Sequence, residues 1–363
     1  MIYLDNAATT PICDAAKKAI MEHLDDFGNP SSVHELGYKA RMLIEDARER
    51  IAKCINAEPN EIYFTSGGSE ADTWALNGMC SLTSSIEHHA IYPTFKFKVN
   101  SNGIADLEDI KRRLLENKMY SPVKINLVSC MMVNNEIGTM QPIKEIVNIA
   151  HENDAIFHTD AVQAVGHTPI DVKYIGCDML SASGHKFGAP KGVGFLYVKN
   201  GIKMRPLIRG GKQEKSIRGG TENVLGIIAM AAALEYSVNR MDVINESIYT
   251  LRNMLLNTLL NIDGVYLNGS LDNRVASNIN IRVDGVKGED VVSMCDQYGI
   301  CISSGSACNE GVPTPSHVLK AIGFTDEEAL SSIRITLGHQ NTFEEINTAA
   351  KTITEVIKIL RKY

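Results

Sequence analysis

Between Ile62 and Val198 short apolar runs alternate with helix-spaced segments, and polar residues gather just past the ends of the runs. Ile62-Tyr-Phe-Thr65, Tyr92 to Val99, Val123 to Met132, Ala155 to Thr159, Cys177 to Leu180 and Val193 to Val198 read as strands. A helix running through Leu76, and others at Asp106 to Asn117 and Ile143 to Asn153, lie between them. Such alternation specifies a mostly parallel α/β sheet, in which ligands sit beyond the carboxyl ends of strands. Asn135, Asp160 and Lys186 all follow strand ends and are expected to converge on one cleft. Each also has a plainer reading, as turn residue, helix cap and solvated lysine respectively.

Lys186 closes the string Ser181-Ala-Ser-Gly-His-Lys186, where small residues leave the amine open to approach. A lysine of lowered pKa can form a Schiff base with an aldehyde. Ser66-Gly-Gly-Ser-Glu70 lies between a strand and a helix start, so its free backbone N–H groups and the helix dipole make an anion site. Ser69 alternatively serves as an ordinary N-cap. Upstream, Thr10 is expected to cap a helix with Pro11 in its first position, and a second helix spans Leu36 to Ile55.

Beyond Arg218-Gly-Gly-Thr-Glu-Asn223, a helical stretch from Glu222 to Val238, a kink and a second helix to Asn261 mark the domain boundary. The last hundred residues mix strands, Ser277 to Val283 and Ile333 to Leu337, with three helices, as in a compact α+β unit. Ser303-Ser-Gly-Ser-Ala-Cys308 lies between those strands in a segment of glycine, serine and proline, which predicts a reactive cysteine on a loop. The other seven cysteines form no Cys-x-x-Cys pair and fit neither a disulfide framework nor a zinc site. A net charge of −7 argues against nucleic acid or anionic membrane as partner. No apolar run is long enough to span a bilayer and the start has no signal-peptide pattern, so a cytoplasmic location is expected.

Several strings in one order resemble the cysteine desulfurases, pyridoxal-phosphate enzymes of the fold-type I, class V aminotransferase group. They are Tyr3-Leu-Asp-Asn-Ala-Ala-Thr-Thr-Pro11, Phe64-Thr-Ser-Gly-Gly-Ser-Glu-Ala-Asp72, Glu87-His88, Val133-Asn-Asn-Glu-Ile-Gly138, His158-Thr-Asp-Ala-Val-Gln163, Ser183-Gly-His-Lys186, Arg218-Gly-Gly-Thr221, Ser303-Ser-Gly-Ser-Ala-Cys308 and Ser332-Ile-Arg-Ile335. The resemblance implies a large domain, 13–238, with a mostly parallel seven-stranded sheet, and a smaller α+β domain of 1–12 and 239–363 that carries the Cys308 loop. It also implies roles residue by residue. Lys186 would hold pyridoxal 5'-phosphate covalently and move protons at the substrate Cα; Asp160 would pair with the ring nitrogen. His88 would stack on the ring and Gln163 bond its oxygen, while Gly68, Ser69, Ser183 and His185, with Thr221 from the other subunit of a homodimer, would hold the phosphate.

Asn135 and Arg334 would bind the carboxylate of L-cysteine, and Cys308 would take its sulfur as a persulfide for an iron–sulfur scaffold or a tRNA-thiolation partner. A selenocysteine lyase, another aminotransferase-like enzyme and a non-catalytic scaffold subunit are the alternatives. The sequence departs from the family in short segments between Ser69 and His88 and between His88 and Asp106, a longer one from Leu114 to Lys124, and His339-Gln-Asn341.

Overall fold

The computed structural model describes residues 1–304, 307–309 and 312–362, with the side chains of 307–309 and of 312 and 313 left out of that description. Seven strands form the main sheet in the order Ile62–Thr65, Gly194–Val198, Met179–Ser183, Ile156–Asp160, Leu127–Ser129, Ser81–Ser84 and Phe95–Phe97. Gly194–Val198 runs antiparallel to both neighbours, and every other pairing in the sheet is parallel. Strand side chains alternate between two cores, because successive residues point to opposite faces. Val128, Leu180, Phe195 and Tyr197 join one core with Ile44, Ile51, Ile146 and Ala229. Leu127, Met179, Leu196 and Val198 join another with Ala71, Trp74 and Ala75 of the helix Gly68–Ala75.

A second body of structure builds on an antiparallel sheet ordered Ser303–Ser304, Ser332–Thr336, Asn278–Val283 and Val265–Leu267. Its core joins Ile279, Ile281, Ile333 and Ile335 with Leu255 of the helix Met241–Leu260 and Ile353 of the helix Phe343–Leu360. Leu4 belongs to this same core, and Ile2–Tyr3 pairs in parallel with Ile300–Cys301. The helices Val224–Asn239 and Met241–Leu260 meet at a bend of 71°, where the sequence predicts a kink. Among the described residues no single helix is long and apolar enough to cross a membrane.

Local expectations fail where a distant partner intervenes. The first helix is Asp14–Glu22, with Cys13 at its cap, and Thr10 uses its hydroxyl elsewhere. Ser69 lies inside the helix Gly68–Ala75, whose N-cap is Gly67. The buried run expected as a strand from Val123 is paired only over Leu127–Ser129. Strands Ser81–Ser84 and Phe95–Phe97 are parallel yet joined by 85–94 without a helix, where such pairs usually need a longer crossover. His88 sits in this short connection.

Candidate active site

The sheet order brings the carboxyl ends of Ile156–Asp160 and Met179–Ser183 side by side, with Asp160 in register with Ser181. Beyond them lies a cavity of about 450 Å³. Lys186, Asp160, His88, Asn135, Gln163, Arg334, Gly68, Ser69, Ser183 and His185 all line it, so the expected convergence of strand-end residues is met. Thr221 is not among the lining residues. The Cys308 backbone pairs with Pro313 in a short hairpin, and its side chain lies outside the described residues.

Lys186 follows its strand in a single tight turn, Gly184–Lys186. Its amine donates to the carbonyls of Ala7 at 2.6 Å and Ala8 at 2.9 Å. Burial lowers its pKa to about 8, with the positive Arg334 adding to the effect and Asp160 and Asp5 opposing it. Asp160 accepts the Val162 N–H at 2.9 Å, and burial raises its pKa to about 6, opposed by that bond and by Lys186. A half-buried amine and a buried carboxylate are thus set in one cavity, with desolvation moving each towards its neutral form.

The phosphate-binding expectation rests on the helix Gly68–Ala75, which starts without a side-chain cap. A Cβ at Gly68 would lie 2.6 Å from Val162 Cγ2, so only glycine lets the helix start approach the strand ends this closely. Ser183, at the end of its strand, and His185, on the lysine turn, stand beside it. His185 Nδ1 lies 3.1 Å from Thr9 Oγ1, and burial next to Lys186 takes its pKa down to about 4. Uncapped helix N–H groups, a hydroxyl and a neutral imidazole are a donor set for a phosphate. Together with the amine of Lys186 for an aldehyde and the carboxylate of Asp160 for a ring nitrogen, they fit pyridoxal 5'-phosphate.

His88 Nδ1 accepts the Ala90 N–H at 3.1 Å, which leaves any ring proton on Nε2. Partial desolvation, then His89 and Lys186, hold its pKa below the ordinary value. Gln163 uses its amide nitrogen on the Ala7 carbonyl, at 2.9 Å. Arg334 donates to the Asn135 carbonyl at 3.0 Å and to Asp5 at 2.9 Å, so the two residues expected to hold a carboxylate are bonded to each other.

Several participants escaped the sequence reading. The N-terminal segment Asp5 to Thr10 straps the lysine turn, through Ala7, Ala8, Thr9 and Thr10. Beneath the cavity His158 lies between the hydroxyls of Ser129 and Ser181, each 2.9 Å away, and burial takes it down to about pH 3, so it is neutral. Asp72 and Glu87 are buried close by, and burial pushes both carboxyls up, Glu87 to about 8. Asp72 is four residues beyond Gly68 and therefore on the same helix face, a spacing that could have revealed it. Cys54, Cys130, Cys177 and Cys295 are held as thiols by burial.

Residues 2–348 match the family model for aminotransferase class-V. The chain is 40% identical over 381 residues to a cysteine desulfurase IscS of Methanosarcina thermophila, covering 99% of this chain and 93% of that one. It is similar to the solved NifS-like protein of Rickettsia africae, with a TM-score of 0.91, 34% identity and 99% of each chain covered. It is also similar to SspA in complex with cysteine, with a TM-score of 0.78, 33% identity, and 94% of this chain and all of that one covered.

Proposed function

The chain belongs to the aminotransferase class-V family and is a cysteine desulfurase dependent on pyridoxal 5'-phosphate, and we propose that Lys186, Asp160, Arg334 and Cys308 carry its reaction. The observation that carries this assignment is the placement of Lys186, with a pKa of about 8, in the same cavity as the buried Asp160. When bound, pyridoxal 5'-phosphate supplies an aldehyde that takes up the amino group of cysteine and a ring that accepts the electron pair left at Cα. Gly68, Ser69, Ser183 and His185 hold its phosphate in this reading, and Thr221 of a second copy completes the cradle in a homodimer.

With the cofactor bound, Asp160 would keep the ring nitrogen protonated, His88 would stack on the ring, and Gln163 would bond the ring oxygen. Arg334 and Asn135 fix the substrate carboxylate, which an arginine fork suits because it makes two parallel hydrogen bonds. Lys186 moves the proton at Cα. The Cys308 thiolate then attacks the substrate sulfur: an S–S bond forms as the C–S bond breaks, the electron pair stays with the carbon, which takes a proton, and alanine leaves. The persulfide passes to an acceptor protein, an iron–sulfur scaffold or a tRNA-thiolation enzyme. The reading places the enzyme in the cytoplasm. It divides the chain into 13–238 and a unit of 1–12 with 239–363, a division supported by Leu4 lying in the second core.

Cofactor-loaded protein incubated with L-cysteine and a reductant should release alanine and sulfide in equal amounts. Lys186→Ala and Cys308→Ala should each lose both products. Alanine formation that survives Cys308→Ala would point to a lyase, and an inactive native protein would oppose the assignment.

A further inference from the structure

Arg334 stands at the cavity wall with its guanidinium already shared between two partners, the Asn135 carbonyl on Nη1 and the Asp5 carboxylate on Nη2. Asp5 is held in place by its backbone. It bridges Thr336, and its carbonyl accepts the Tyr3 hydroxyl and the Ala8 N–H, both at 3.0 Å. A guanidinium has five N–H donors. Each terminal nitrogen therefore keeps one N–H for an incoming carboxylate, which would meet Asp5 on the same fork. Two carboxylates that share one cation repel each other, and in a partly buried site that repulsion is not screened away.

We propose that Asp5 sets the affinity of the site for α-carboxylates: by occupying one side of the Arg334 fork it weakens the hold on them, those of substrate and product alike. The inference rests on Arg334 being the carboxylate-binding residue. Its chemical sense lies in the shared group. Cysteine and alanine carry the same α-carboxylate, so tighter binding there would be uniform, slowing product release without favouring the transition state.

The test uses the cofactor-loaded enzyme. Asp5→Asn keeps an oxygen acceptor for Arg334 and removes the charge; Asp5→Ser removes the charge in a different shape and guards against a folding defect in the first. Binding of L-alanine is followed by the change in cofactor absorbance, and KM for L-cysteine is measured in parallel. Both variants should bind alanine about tenfold more tightly and lower KM for cysteine by the same factor. Affinity for cysteamine, which has no carboxylate, should stay as in the native enzyme. Unchanged or weaker alanine binding, or an equal gain for cysteamine, would overturn the proposal and leave Asp5 as a residue that merely orients Arg334. Arg334→Gln separates the two readings. If it weakens alanine binding while the Asp5 variants do not tighten it, only the role of Asp5 fails; if it leaves alanine binding unchanged, the assignment of Arg334 fails and the role of Asp5 with it.

Discussion

The Thr10 hydroxyl donates to the His185 carbonyl and accepts the Gly188 N–H, both at 2.9 Å, and so pins the N-terminal segment across the turn that presents Lys186. Replacing it with valine keeps the shape and leaves the Gly188 N–H without its acceptor in a partly buried place, while the His185 carbonyl keeps only the backbone N–H of residue 10. Thr10→Val should cost about 1–3 kcal/mol, read as a lower melting temperature, and slow covalent capture of the cofactor by the apoprotein. Thr10→Ser, which keeps the hydroxyl, should restore most of both.

The pKa of Lys186, lowered to about 8, makes a prediction for pH. The free amine is the reactive form, so capture of pyridoxal 5'-phosphate by the apoprotein should speed up as pH rises through about 8 and then level off. An ordinary lysine would keep accelerating until about pH 10.4. At pH 7 roughly a tenth of Lys186 would be free amine, against less than one part in a thousand for a solvated lysine. Initial rates of the absorbance change between pH 6 and pH 10, both about the limits of the useful window, decide between them.

These two features differ in how far the sequence discloses them. Asn135, Asp160 and Lys186 can be placed together from sequence because a parallel sheet aligns its strand ends, and strand period and turn chemistry are local. The strap is not legible in this way. Thr10-Pro11 has the local pattern of a helix start, and only a contact with His185 far along the chain redirects its hydroxyl. Asp72 and Glu87 are hidden for a related reason: acidic residues read as solvated until the packing of helix Gly68–Ala75 on the sheet shows them buried. The short connection 85–94 is visible as a deviation in length, but its outcome, a parallel pair without a crossover helix, depends on the edge position of Phe95–Phe97.

Glu87 accepts hydrogen bonds from the Ser84 hydroxyl at 2.5 Å and the Met131 N–H at 2.9 Å, yet burial raises its pKa to about 8. In the unfolded chain it titrates near the ordinary value of about 4.3. Between these values the folded state binds a proton that the unfolded state has released, so Glu87 makes stability fall as pH rises from about 4.3 to about 8. Glu87→Gln, a neutral isostere, should flatten that fall. Its stability relative to native protein should improve by a few kcal/mol on going from about pH 5 to about pH 8, read from denaturant midpoints.

Glu214 is the anchor of the segment that leads to Arg218 and Thr221. Its carboxylate takes both ends of Arg48, at 3.0 and 2.8 Å, and the Phe64 N–H at 2.9 Å, with Arg48 also donating to the Ile62 carbonyl at 2.7 Å. The backbone at Glu214, Lys215 and Ser216 has positive φ values of 42°, 57° and 68°, a conformation that these residues hold only when packing imposes it. Removing Glu214 leaves the buried Arg48 with only the half-exposed Glu45, 3.2 Å from its Nε, and leaves the Phe64 N–H without this acceptor, so Glu214→Ala should destabilise the protein by about 3 kcal/mol. Arg48→Met with Glu214→Leu, which removes both charges, should cost less than the single change. Downstream, Arg218 bonds Glu70 through two nitrogens, at 2.7 and 2.9 Å, and Glu70 lies in the first turn of the helix Gly68–Ala75. Loosening the segment at Glu214 should therefore also weaken retention of the cofactor, measured as its release on dialysis, and the charge-free double variant should recover part of it.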